Sequence, residues 1–376
     1  MEPQLPNRHD SSTSRWPDDP MGWLTSLDRH AKVGAKHHII PRFLLKRWAN
    51  GAGQVQAFSR ADNRFSQRSV ADLAVRDFYT FVAIDGSSDS TYEEFLAKVE
   101  DPASEVVSRI LSPLRRHGAA LTVEQRHSLD LFVAFQFVRG PRTRREIEQI
   151  ADFYGKTMSE GHVDNDELAK LEFVPHQNDH IRTMGNLAES VWMHLHRRPV
   201  HLLRLDRPLV WLSDEPVVVD ADDTEDGHHP DCSLTMKELT RRARKARTKG
   251  GEFSTIVHVR PVRRRGLLDA DAVLMPLSPH VVLAYGPQGE RDINLRIHET
   301  TLNEDAATEF ASELNSKIAV GALDVIVGPP NDPRFRHQQM PDPSPILHVC
   351  GPKSVASDAL NKPLRRVRPS RYLRQA

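Results

Sequence analysis

The residues best suited to chemistry fall in four places along the chain. His37 and His38 open the run His-His-Ile-Ile-Pro, which looks like the start of an HNH nuclease motif. That chemistry needs a metal held by further groups and a His to activate water. The next His is His117, and no CxxC brackets the run. The plainer reading is that His38 hydrogen-bonds the helix beginning at Pro41. Gln136, Arg139 and Arg142 form the second group. A guanidinium grips phosphate or carboxylate through two parallel N–H donors, and Gln136 lies one helical turn before Arg139. The same arginines equally suit capping helix carbonyls and pairing with Glu93, Glu94 or Glu100. The third group is Ser213 and Asp214, at the end of an apolar strand between Trp211-Leu212 and Pro216-Val217. A carboxylate there suits a general base or metal ligand, and it also suits accepting backbone N–H bonds in an Asp-x-Pro turn. Last come Asp226, His228, His229 and Asp231, which have metal-binding composition inside a polar loop.

Several chemistries are excluded by what is missing. No GxSxG elbow presents a serine, and there is no Walker loop or GxGxxG. The two cysteines, Cys232 and Cys350, lie far apart and outside CxxC spacing. That argues against a disulfide framework and a thiolate zinc site, and it points to a reducing, cytoplasmic compartment. Lys plus Arg equals Asp plus Glu at 51 each, so no global basic field draws the chain to nucleic acid or an anionic membrane. The basic end LNKPLRRVRPSRYLRQA is the local patch that could hold a phosphate backbone. No apolar run approaches the roughly 20 residues of a bilayer span, and the start MEPQLPNRHDSSTSRWPDDP lacks the apolar core of a secretory signal. No cofactor and no metal site is assigned.

The elements that must position these groups can be read from periodicity. Residues 1–35 are polar and Pro-rich and are expected to form a disordered arm. Pro41 suits the first turn of a short helix that ends at Gly51. Val55–Phe58 and Phe78–Ile84 read as strands. From Thr91 the apolar spacing becomes helical, with Pro102 expected to kink or split the segment. Thr122 with Gln125 makes a capping box for the next helix, whose nearly all-apolar run through Phe137 marks it as central and buried. Helices follow at Arg144–Tyr154 and Asp179–His196, with Arg144 expected in solvent. After Arg198 the pattern turns to strands, interrupted by a charged insertion at 221–251 that is expected to be mobile. A helix over Asn303–Asn315 and the run KIAVGALDVIVG are expected to close the ordered part.

Read together, the motifs around His38 carry a resemblance. The run His38-Ile39-Ile40-Pro41-Arg42-Phe43 with Lys46-Arg47-Trp48 resembles the N-terminal signature of a bacterial family, domain of unknown function 4238. Asp77-Phe78-Tyr79-Thr80, the acids Glu93, Glu94 and Glu100, and Phe135-Gln136-Phe137-Val138-Arg139-Gly140-Pro141-Arg142 follow in that family's order. So do Leu212-Ser213-Asp214-Glu215-Pro216-Val217 and Met275-Pro276-Leu277-Ser278-Pro279. The resemblance spans about 37–328 and departs at Glu215, where the family usually has Asn. It implies fold and extent, and no activity comes with it.

The expected fold is α+β: a buried helical bundle packed on a mostly antiparallel sheet, between disordered N- and C-terminal tails. One domain is expected over 36–329, helical at about 91–198 and strand-rich at about 199–329, followed by a disordered, basic tail over 330–376. His38, Arg42, Glu100, Gln136, Arg139, Arg142, Ser213 and Asp214 are expected at the junction of bundle and sheet. Two functions compete there. In one, the junction is a pocket for a phosphate-bearing ligand, nucleotide or nucleic acid, with the arginines gripping anions and His38 or Asp214 doing acid–base work. In the other, the same residues are a buried network in a non-catalytic binding or regulatory module. Exposure separates the two.

Overall fold

The structure, a computed structural model, describes residues 37–76, 78–82, 88–89, 91–112, 120–220, 241, 244–245, 248, 258–261, 267, 270–289, 295–350, 354–360 and 362. The N-terminal arm, nearly all of the insertion with its Asp/His cluster, and the basic end from 363 lie outside the described residues.

The chain enters through β1 (His37–His38) and the single turn α1 (Arg42–Leu45), then the hairpin β2 (Gln54–Ser59) and β3 (Arg64–Ser69). Short strands β4 (Val75–Arg76), β5 (Phe81–Val82) and β6 (Ser88–Asp89) lead to the helical block. That block is α2 (Thr91–Leu111), α3 (Val123–Val138), α4 (Pro141–Ser159), α5 (Asn165–Leu168) and α6 (Gln177–Leu195). The second half contributes β7 (Val200–Arg204), β8 (Leu212–Ser213), β9 (Val218–Asp220), β10 (His258–Pro261), β11 (Ala272–Ser278), β12 (Val281–Tyr285) and β13 (Ile297–Thr301). After it come α7 (Glu304–Gly321), β14 (Val325–Gly328), α8 (Pro333–Arg336), β15 (Leu347–Cys350) and α9 (Val355–Ala359).

The fold is α+β with two mostly antiparallel sheets. One has the order β13-β7-β12-β11-β9, with β13 and β7 parallel. The other has the order β3-β2-β14-β8, so strands from both ends of the chain pair directly. Period-two alternation sorts their side chains into two cores. Val55, Ala57, Val200, Leu202, Leu283, Val325 and Val327 face the helical block, while Phe58, Val282, Ala284 and Ile326 pack against α7. Helices therefore cover opposite faces, which is why β12 is buried at every position.

Local chemistry sets the helix ends. Thr122 accepts from the Gln125 amide while Gln125 reaches back, the expected capping box. α3 then runs as the central helix, buried from Leu129 through Val138. Three expectations change. The helix from Thr91 is not split at Pro102; Val99 and Ala103, Val106, Ile110 on either side of it are all in the core, and that burial outweighs the one lost hydrogen bond. KIAVG extends α7 to Gly321, past the expected helix end at Asn315. The segment after 330 does not run free in its described part: α8 buries Phe335, β15 pairs with β10, and Ile346 and Leu347 join Phe153, Ala356 and Leu360 in a third small core. In a Pro-rich stretch those few apolar residues are too sparse to register as a period.

Candidate functional site

The junction is held by Arg139, which is α3's C-cap and only 1% exposed. Its Nε donates to the Ile39 carbonyl at 2.8 Å, one terminal nitrogen donates to the His38 carbonyl at 2.6 Å, and the other pairs with Glu100 of α2. The Arg139 carbonyl accepts from the Tyr79 hydroxyl at 3.1 Å, and the guanidinium lies 6.0 Å from that ring. One side chain thus ties the N-terminal strand, α2 and α3 together. His38 itself is half-buried, and its Nε2 sits 3.2 Å from the Ala71 carbonyl instead of on helix α1. Burial, more than any charge, lowers its pKa.

His37 is the deeper histidine, at 1% exposure. Its Nδ1 accepts the Tyr79 amide at 3.0 Å, which in the neutral ring places the proton on Nε2. That nitrogen is 3.4 Å from Glu93 Oε2. Burial raises the Glu93 carboxyl to about 7, against the pull of Arg139 and with Glu100 adding to the rise. The Tyr92 hydroxyl beside this cluster is buried without a partner among the described residues.

Arg142 leaves the first turn of α4 in a different direction. It donates to the Gly321 and Val320 carbonyls at the C-terminus of α7 and to Ser344 and Pro345 in the segment after α8. Arg60, past the end of β2, grips the same helix end through Ala319 and Ala322 and also bonds Pro341. Two cations at a helix C-terminus oppose its dipole. The N-terminus of α4 has the complementary device. Gly140 offers no side-chain cap, and the Glu215 carboxylate comes across to accept the Arg142 amide at 2.6 Å. A Cβ on Gly140 would lie 2.3 Å from that carboxylate, so a larger residue there would push the carboxylate away from the Arg142 amide. The acid that departs from the family pattern is therefore an N-terminal cap brought from the sheet.

Ser213 and Asp214 present Glu215. The Ser213 hydroxyl donates to the Glu215 carbonyl and accepts its amide, closing a tight turn. Asp214 is 0% exposed; its Oδ2 accepts the Asp324 amide at 2.7 Å and the Leu323 amide at 3.3 Å, while Oδ1 has no partner among the described residues. Burial first, then the Asp324 and Glu215 charges, push its pKa well up. Gln136 is 1% exposed, and neither end of its amide has a partner among the described residues. Arg42 is exposed and stands outside this arrangement.

The sequence reading passed over a second buried assembly. Arg126 and Asp130 pair at 2.7 Å with both side chains at 0% exposure. Tyr285 donates to Asp130 at 2.8 Å, and Arg126 caps the end of α6 through the Leu195 and Arg198 carbonyls. Arg198 continues the chain to Leu267, Ala270 and Gly286. Burial outweighs Arg126 and raises the Asp130 carboxyl. The i,i+4 spacing of Arg126 and Asp130 was the available signal, but it looks the same as a solvated helix pair. Arg144, expected in solvent, is 7% exposed, with its guanidinium 4.5 Å from the Phe78 ring and Glu148 at 3.4 Å. The stacking ring lies 66 residues away, too distant for any local pattern to reveal it.

A family model described as Protein of unknown function (DUF4238) matches residues 36–237, and this stretch holds every residue of the junction from His37 to Glu215. The chain belongs to that family. Searches of curated proteins and of solved structures found no match. Among the described residues, no three His, Cys, Asp or Glu side chains are grouped to hold a metal, and no helix is long and apolar enough to cross a membrane.

Proposed function

We propose that this DUF4238 chain is a non-catalytic binding or regulatory module whose signature residues assemble the fold. The observation that carries this is that the donors of Arg139 and Arg142 are directed at carbonyls and a carboxylate of the chain itself. A guanidinium that is already engaged on all sides must break those bonds to grip a phosphate, so an anion gains little there. Asp214 fits the same role. A carboxyl at 0% exposure, with one oxygen already on two backbone amides, is out of reach of an incoming substrate.

One specific observation favours a second reading. The Glu93 side chain is 44% exposed although the oxygen facing His37 is buried, and burial raises its carboxyl to about 7. Such a pair could exchange protons with a ligand. Thermal unfolding with ATP, inorganic phosphate, a single-stranded oligonucleotide and Mg²⁺ separates the readings. No stabilisation by any of them is expected. Saturable stabilisation by a phosphate-bearing probe, lost in Arg139→Ala, would restore the phosphate pocket.

A further inference from the structure

Of the edge strands in the two larger sheets, β3 is the longest, at six residues, and it pairs on one side only, with β2. In an antiparallel ladder every second residue turns its N–H and C=O away from the partner strand. From Arg64 to Arg68 those outward groups meet no other segment among the described residues. No position of β3 is fully buried: Phe65 and Ser66 are half-buried and the other four residues are exposed. That row of free donors and acceptors is a template for one more strand.

The side chains select which strand. Residues directly opposite one another share a face. Arg64, Ser66 and Arg68 lie opposite Ser59, Ala57 and Val55, so the two arginines stand on one face, about 13 Å apart along the strand. Both are exposed, and neither forms an ion pair among the described residues. Phe65 and Gln67 lie opposite Phe58 and Gln56 on the other face. There Phe65 meets Phe335 edge to face at 5.2 Å, and the exposed Arg336 donates to Gln56 at 3.1 Å. Cations therefore border both faces of this edge. Residues 37–76 hold seven Lys and Arg against two acids, in a chain whose total charge is balanced.

We propose that β3 is a docking edge for an extended acidic peptide of a partner protein, which joins the sheet as a fifth strand. Acids four residues apart on the incoming strand meet Arg64 and Arg68, and an apolar residue between them, on the other face, meets Phe65. Charge at an edge ordinarily keeps strands from pairing. Here it is selective: a second copy of β3 would set arginine against arginine, whereas an acidic strand is attracted. A nucleic-acid strand fits less well, because the outward carbonyls repel phosphate oxygens and its backbone has no N–H to offer them. The inference rests on the reading of the chain as a binding module, and it names where and what that module binds.

Fluorescence anisotropy with the labelled peptide Thr-Glu-Val-Thr-Val-Glu-Thr at low salt tests it. Saturable binding is expected, weakening as salt is raised. The double variant Arg64→Glu, Arg68→Glu should bind about tenfold more weakly, since two favourable charge pairs become repulsive. Its melting temperature should match the parent's, because neither arginine is paired within the fold. The same peptide with methylated backbone nitrogens keeps its charges and loses its strand donors, so it should not bind. No binding of the first peptide, or equal binding by the double variant or of the methylated peptide, overturns the proposal. So does tighter binding of an oligodeoxythymidine of the same length through the same two arginines. The Arg139 network does not involve β3, so failure of the peptide leaves that reading standing, and a phosphate probe displaced by Arg139→Ala would sink that reading alone.

Discussion

Arg139, Asp214 and Glu93 show three ways in which a buried charged group is settled. Arg139 is satisfied by three acceptors from separate segments. Arg139→Ala should cost about 3 kcal/mol in urea unfolding, the low end for a broken buried pair, because Glu100 keeps some contact with water. Arg139→Lys should recover little, since an ammonium cannot span acceptors set out for a planar fork. Arg144→Ala, which loses ring stacking and a longer contact to Glu148, should cost about 1–2 kcal/mol. Asp214 is settled by the backbone amides of Leu323 and Asp324, while burial pushes its pKa well up. Asp214→Asn should stay within about 1 kcal/mol of the parent, whereas Asp214→Ala strands the Leu323 and Asp324 amides at about 1–3 kcal/mol each. Equal losses from the two variants would show that Asp214 needs its charge. Glu93 holds a proton up to about 7 that the unfolded chain releases near 4.5. Its contribution is complete below the lower value and is lost as pH rises through the higher one. Glu93→Gln should therefore flatten the fall in stability between those pH values; an unchanged pH profile would show that Glu93 titrates normally.

At the scale of elements, the C-terminal part of α7 is the point where distant segments meet. Arg60 and Arg142 converge on its last carbonyls, and both also bond the segment after α8. That segment is a strap over the second core, with Phe335 packed between Phe65 and Trp211. A chain ending at Pro329 should melt well below the full chain, because Phe335 alone buries a side chain worth about 1.5–3 kcal/mol and Arg142 loses two acceptors. Coincident melting curves for the two chains would mean that the strap contributes nothing. Most elements could be read beforehand, because periodicity is local. The capping box at Thr122, the buried run of α3 and the strands around Leu202 and Leu283 all follow from spacing within a few residues. The strap, the continuous helix through Pro102 and the burial of Arg144 depend on packing against elements remote in sequence, and no local pattern encodes that.

Across the whole molecule, the signature residues converge as the sequence order suggested, but on two centres. His38, Glu100 and Arg139 join the N-terminal strand to the helical block. Ser213, Asp214 and Arg142 join that block to α7 and the strap, through Glu215. The residue types and their grouping were legible. Their partners were not, since a guanidinium aimed at backbone carbonyls carries the same sequence signal as one aimed at a ligand. The Arg126–Asp130–Tyr285 assembly was hidden for the same reason: its acceptors are a carboxylate one turn away and carbonyls at the far end of α6. A chain with balanced charge, whose central arginines are internally saturated, is held together by cations facing inward. The most direct measurement is the urea unfolding of the parent and Arg142→Ala, each with and without ATP and a single-stranded oligonucleotide. A loss of several kcal/mol in the variant, with neither chain stabilised by either probe, is the expected result. A variant as stable as the parent that has lost a ligand-induced stabilisation seen in the parent would contradict it and place Arg142 in a phosphate site.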